Sequence, residues 1–150
     1  MKSFNVRVEP SAAAPHLTVL LSSTPRRARL ARRLAGEQLA AWGIPYNSET
    51  SQAVAIVTAE VAANAITHGR NPGRDFRLTL LHLTGQGVVR IEMTDTRPGH
   101  LPRGPGAEPA ATDAVSGRGL LLVAAYAERW GCEVRDAYTK TVWAEVGCPT

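Results

Sequence analysis

Val54-Ala-Ile-Val-Thr-Ala-Glu60-Val-Ala-Ala-Asn64-Ala-Ile-Thr-His68-Gly69 decides how the rest of the chain is read. Wound at about 100° per residue, Val54, Val57, Val61 and Ala65 share one side of a helix, while Ile56, Ala59, Ala63 and Ile66 leave little of the circumference polar. Such a helix is expected to be largely buried. Glu60, Asn64 and His68 interrupt it at i, i+4 and i+8, a stripe about 80° wide beside the valines. Burying a carboxylate and an amide without partners is costly, so the stripe faces either an internal polar network or a cavity that holds a ligand. The helix starts near Asn47 or Ser48, carries Glu49 in its first turn where the helix dipole favours it, and stops at Gly69.

Upstream, Thr24-Pro25 supplies a capping hydroxyl and a proline at the first helical position; Leu30, Ala31, Leu34, Ala35, Leu39 and Trp42 then keep helical spacing until Gly43. Phe4 to Val8 and Leu17 to Leu21 have the content of short strands. Downstream, Phe76 to Thr84 and Val88 to Asp95 flank Gly85-Gln86-Gly87 as a hairpin. Thr96 to Ser116 shows no periodicity and holds four prolines and three glycines, a length that marks a functional lid or an unstructured segment. A helix from Leu120 to about Arg129 and strands at Cys132 to Arg135 and Lys140 to Val146 close an α+β pattern without internal repeats.

A length of 150 residues suits one domain, and 44% hydrophobic with 20% charged residues excludes disordered and collagen-like classes. The longest aliphatic run, Leu120 to Ala125, falls far short of the ~20 residues of a bilayer span, and the start MKSFNVRVEP lacks the apolar core of a signal peptide. The expectation is a cytoplasmic protein without a membrane partner. Cys132 and Cys148 show no metal-ligand spacing and read as packing residues. Of 17 basic residues 15 are arginine, five of them between Arg26 and Arg33. With 5% aromatics and no DNA-reading motif, this cluster reads as a solvated helix face or a contact for an acidic protein, ahead of direct nucleic-acid binding.

Two further constellations bear on chemistry. Asp95 closes a strand and precedes Thr-Arg-Pro-Gly99, so its carboxylate either forms a turn or accepts a hydrogen bond from an exocyclic amino group while Gly99 lets backbone approach a flat ring. Gly117-Arg118-Gly119 precedes a helix whose free N–H groups and dipole suit a phosphate, or serves as an ordinary loop-to-helix junction.

Taken in order, Glu60 to Gly69, Asp95 to Gly99, Gly117-Arg118-Gly119-Leu120 and Lys140-Thr141-Val142-Trp143 resemble the GHKL, or Bergerat-fold, ATPase and kinase superfamily. Within it the chain is most similar to the stand-alone anti-sigma-factor serine/threonine kinases of high-GC bacteria, over roughly His16 to Gly147. The resemblance implies a two-layer α/β sandwich, its mixed, mostly antiparallel sheet covered by helices on one face. It implies one ATP-binding domain over residues 1–150, with a lid at about 96–116.

The resemblance also assigns roles, with ATP and Mg²⁺ as cofactors. It makes Glu60 the base for the attacking hydroxyl and Asn64 the ligand of the magnesium that bridges the phosphates; a side-chain carbonyl is a hard oxygen donor of the kind Mg²⁺ takes. His68 has a supporting place. Asp95 accepts from the adenine amino group and Gly99 lets the base lie against backbone, although Arg97 stands where the family's Asp-x-Gly-x-Gly has its first glycine. Gly117, Arg118, Gly119 and Leu120 match the second glycine box at the lid hinge, and Thr141 the hydroxyl that supports the pocket. The implied partners are a sigma factor and an anti-anti-sigma protein of the STAS class, with homodimers occurring in this branch. Phosphorylation of the STAS partner would switch partners; the alternative is a nucleotide-gated binding module without phosphoryl transfer.

Overall fold

The computed structural model describes residues 14–69, 75–95, 121–134 and 139–149, with backbone alone for 67–69. The strand expected at Phe4 to Val8, the lid at 96–116, and Arg97, Gly99, Gly117, Arg118, Gly119 and Leu120 lie outside these residues. The described elements follow the chain as β1 (His16–Ser22), α1 (Pro25–Ala41), α2 (Glu49–Gly69), β2 (Asp75–Leu83), β3 (Val88–Asp95), β4 (Arg129–Val134) and β5 (Lys140–Gly147). A helical segment at 121–126 precedes β4.

Local signals account for the helix ends. Thr24 is extended and its Oγ1 accepts from the Arg27 N–H at 3.2 Å, with Pro25 opening α1. At the far end Gly43 takes φ 89°, and the Ile44 N–H reaches back to the Leu39 carbonyl at 2.8 Å. Ser48 caps α2 by accepting from the Ser51 N–H at 3.1 Å.

The strands form one sheet in the order β1-β2-β3-β5-β4, and all four pairings are antiparallel. Alternation along β3 is clean: Val89, Ile91, Met93 and Asp95 are buried, whereas Arg90, Glu92 and Thr94 are half-buried. The buried face carries Phe76, Leu78, Leu80, Val142, Ala144 and Val146, and both helices lie on it in one hydrophobic cluster. This is the two-layer α+β architecture that the resemblance implies.

The opposite face combines a small apolar cluster of Leu81, Leu83 and Val88 with a charged network. Arg90 pairs with Glu92 and with Glu145, both at 2.8 Å, and lies 4.3 Å from the Trp143 ring centre; Arg129 also binds Glu145.

The expected hairpin is present: β2 and β3 pair antiparallel down to Leu83 and Val88, joined by a 3₁₀ turn at Thr84–Gln86 with Gly87 at φ 69° taking the left-handed step. Two sequence expectations need correction. The helix expected to reach Arg129 ends at 126, because Arg129, Trp130 and Gly131 pair with Glu145, Ala144 and Trp143 of β5; long-range pairing overrides the local pattern. Lastly, α2 is less enclosed than its apolar circumference suggests. Val54, Val57, Val61 and Ala65 are buried, while Ile56 and Ala59 are half-buried and Ala63 is exposed, since the sheet and α1 cover one side only.

Candidate functional site

The direction of α2 over the sheet brings the polar residues together. Thr50, in its first turn, donates to the Gly147 carbonyl at 3.0 Å, and Gly147 is opposite Val88 at the start of β3. The helix therefore begins at one end of the sheet. It ends five residues before β2, whose first residues lie beside the last of β3. From Thr50 to Asn64 a helix advances about 21 Å at 1.5 Å per residue, and from Val88 to Asp95 a strand advances about 24 Å. Asn64 and Asp95 accordingly reach the same end of the layer interface, with Glu60 one turn behind.

Burial shows that this end is built for polar chemistry. Asp95 is 4% exposed and Asn64 9%, while Glu60 is half-buried. The Asn64 Oδ1 is buried and has no hydrogen-bond partner among the described residues. An orphaned carbonyl oxygen costs about 1–3 kcal/mol and persists where something else satisfies it. The Thr58 hydroxyl is likewise unpartnered. It lies eight residues beyond Thr50, midway along the sheet and away from Asp95.

Thr141 is not brought to this group. Its Oγ1 is 2.8 Å from the Thr94 Oγ1, and Thr94 and Asp95, consecutive in a strand, point to opposite faces. Its neighbour Lys140 takes the inward position instead, directly across from Asp95, and is 2% exposed. In the sequence Lys140 stands out only as the first residue of the Lys140-Thr141-Val142-Trp143 motif. The available signal was its rarity, since Lys2 is the only other lysine in the chain.

Cys132, on the same inward face of β4, completes the surroundings. Burial pushes its thiol above the ordinary value; Lys140 pulls it back, and Asp95 and Glu133 push it further up. Such a thiol is a packing group, as its sequence suggests. Cys148 is also free and half-buried, its Sγ 3.9 Å from His82 Nε2.

Two cavities lie elsewhere: one of 510 Å³ between α1 and α2 around Tyr46, Ala55 and Ile56, and one of 660 Å³ at the Thr50–Gly147 end. Neither includes Asn64 or Asp95.

A stripe with a helix-borne carboxylate and an orphaned amide oxygen, level with a buried aspartate at a strand end, matches one family pattern. The model of the histidine kinase-like ATPase domain fits residues 21–145. The chain belongs to that family. No curated protein sequence matches it significantly. Among solved structures, that of the RsbU and RsbW domains of Rv1364c from Mycobacterium tuberculosis superposes with a TM-score of 0.60 at 20% identity, over 90% of this chain and 34% of that one. The likeness is one of fold, and this chain spans about a third of that protein's length. No helix among the described residues of this ATPase domain is long and apolar enough to cross a membrane.

Proposed function

We propose that this histidine kinase-like ATPase domain is a serine/threonine protein kinase that binds ATP with Mg²⁺, phosphorylates an anti-anti-sigma protein of the STAS class and holds a sigma factor in alternation with it. The observation that carries the nucleotide part is the orphaned, buried Asn64 Oδ1 level with Asp95. The donor fits a magnesium ion: a neutral carbonyl oxygen, one protein ligand among phosphate and water oxygens. Bound there, the metal would neutralise charge developing on the phosphates.

The residues then divide the work. Asp95 accepts from the adenine amino group, a hydrogen bond that guanine, with a carbonyl at that place, cannot donate. Asn64 would hold the ion, which would supply positive charge beside the phosphates. Glu60 accepts the proton of the incoming serine hydroxyl as its oxygen bonds to the γ-phosphorus, while the bond to the β–γ bridging oxygen breaks and ADP leaves. Gly99 and the Gly117 to Leu120 box complete the pocket and the lid hinge in this reading, as the family pattern assigns them.

The test is incubation of the protein with labelled ATP, Mg²⁺ and candidate STAS partners, followed by mapping of the labelled residue. Phosphoserine or phosphothreonine on the partner, lost with Glu60→Gln, supports the kinase. The second reading, a nucleotide-gated binding module, draws on Arg97 at the place of a motif glycine. ATP binding without transfer to any partner would establish it.

A further inference from the structure

Lys140 is directly opposite Asp95 in the β3–β5 register, and the two are among the most enclosed charged side chains of the described residues, at 2% and 4% exposure. Directly opposed residues of an antiparallel pair have Cβ atoms about 5 Å apart, on the same face. A buried ammonium is tolerated only beside a countercharge, and Asp95 is the nearest that the register supplies. The thiol of Cys132 senses both charges, which places all three groups in one neighbourhood. The choice of residue is pointed in a chain that uses arginine for 15 of its 17 basic positions. A guanidinium forks onto both oxygens of a carboxylate, whereas an ammonium is a point charge that meets one.

We propose that Lys140 is a positioning residue for Asp95: its ammonium engages one carboxylate oxygen and leaves the other aimed to accept from the purine amino group. Lys140 then sets base selectivity through Asp95 without touching the nucleotide. The proposal rests on the adenine-acceptor role given to Asp95 above.

The experiment compares ATP with inosine triphosphate, which carries a carbonyl in place of the amino group. Binding with Mg²⁺ is measured by calorimetry for the full chain, Lys140→Met, Asp95→Asn and the double variant. Lys140→Met is expected to reduce the ATP-over-ITP preference roughly tenfold with ITP affinity nearly unchanged, and to add nothing once Asp95→Asn is present. A merely structural role would weaken both nucleotides alike and keep their ratio; that result, or additive effects in the double variant, overturns the proposal. If Lys140→Met fails to fold, recovery of the fold in the double variant, which removes both buried charges, supports the pairing, and failure to recover refutes it. A wild-type protein with no ATP preference removes the Asp95 reading as well. A wild-type preference that Lys140→Met leaves intact removes this proposal alone.

Discussion

Replacing Asn64 by leucine separates what the fold wants from what the site wants. The Asn64 Oδ1 is buried without a partner among the described residues. A desolvated acceptor of this kind costs about 1–3 kcal/mol, and leucine, of similar volume, removes that cost. Repacking around the new side chain offsets part of this, so the net gain in the nucleotide-free protein is about 1 kcal/mol. For a chain of this size that is roughly 2–4 °C in melting temperature. Ligand should act the other way. At a hundredfold excess over its dissociation constant, Mg²⁺-ATP stabilises the wild-type protein by about 2.7 kcal/mol. By the same scaling this is roughly 5–11 °C, and Asn64→Leu should forfeit most of it. Thermal melts of both proteins, with nucleotide, with nucleotide plus Mg²⁺ and with neither, give every term. A lower melting temperature for the nucleotide-free variant would show that Oδ1 has a structural partner. An undiminished Mg²⁺-ATP shift would show that it is no ligand.

Glu60→Gln should leave ATP affinity within about twofold and slow transfer to a cognate partner by on the order of 10²-fold or more, the scale of a lost general base, as read in single-turnover assays. Asp95→Asn should weaken ATP binding and reduce the preference over GTP, because an amide can turn its NH₂ toward the adenine amino group; calorimetry with both nucleotides checks it. Gly131→Ala would bring a Cβ within 2.9 Å of the Trp143 ring, on which Arg90 stacks, so the ring must shift at a cost of about 1–3 kcal/mol in denaturant unfolding. For Cys132, burial favours the neutral thiol and raises its value above the ordinary 9.0. The folded state thus holds that proton longer than the unfolded one, and the associated stability is full below the unfolded value and lost as pH rises through the folded one. Unfolding midpoints between about pH 8 and 10.5 should fall less for Cys132→Ala than for the wild type.

Much of the fold was legible because its signals are local. The Thr24-Pro25 cap and Gly43 bracket α1, and alternation marks β2 and β3 within a residue or two of their ends. The C-terminal part was less so: Arg129 and Trp130 continue a helical pattern in sequence and are claimed by β5 in space. The order β1-β2-β3-β5-β4 depends on pairings far apart in the chain, on which neither periodicity nor turn chemistry bears.

The site divides along the same line. Glu60 and Asn64 are one helical turn apart, so their common stripe follows from spacing alone, and Asp95 announces itself by ending a strand. What spacing cannot supply is the parity of β5. Whether Lys140 or Thr141 faces Asp95 depends on the register with β3, and a shift of one residue exchanges them. The Thr141 hydroxyl, which the family resemblance assigns to support of the pocket, bonds to the Thr94 hydroxyl on the other face of the sheet. The register assigns the inward place to Lys140, where burial beside Asp95 makes an ammonium costly without that carboxylate. In the proposed arrangement Asp95 is held by a strand neighbour that spacing does not single out, and a double-mutant cycle between the two residues is the measurement that can see it.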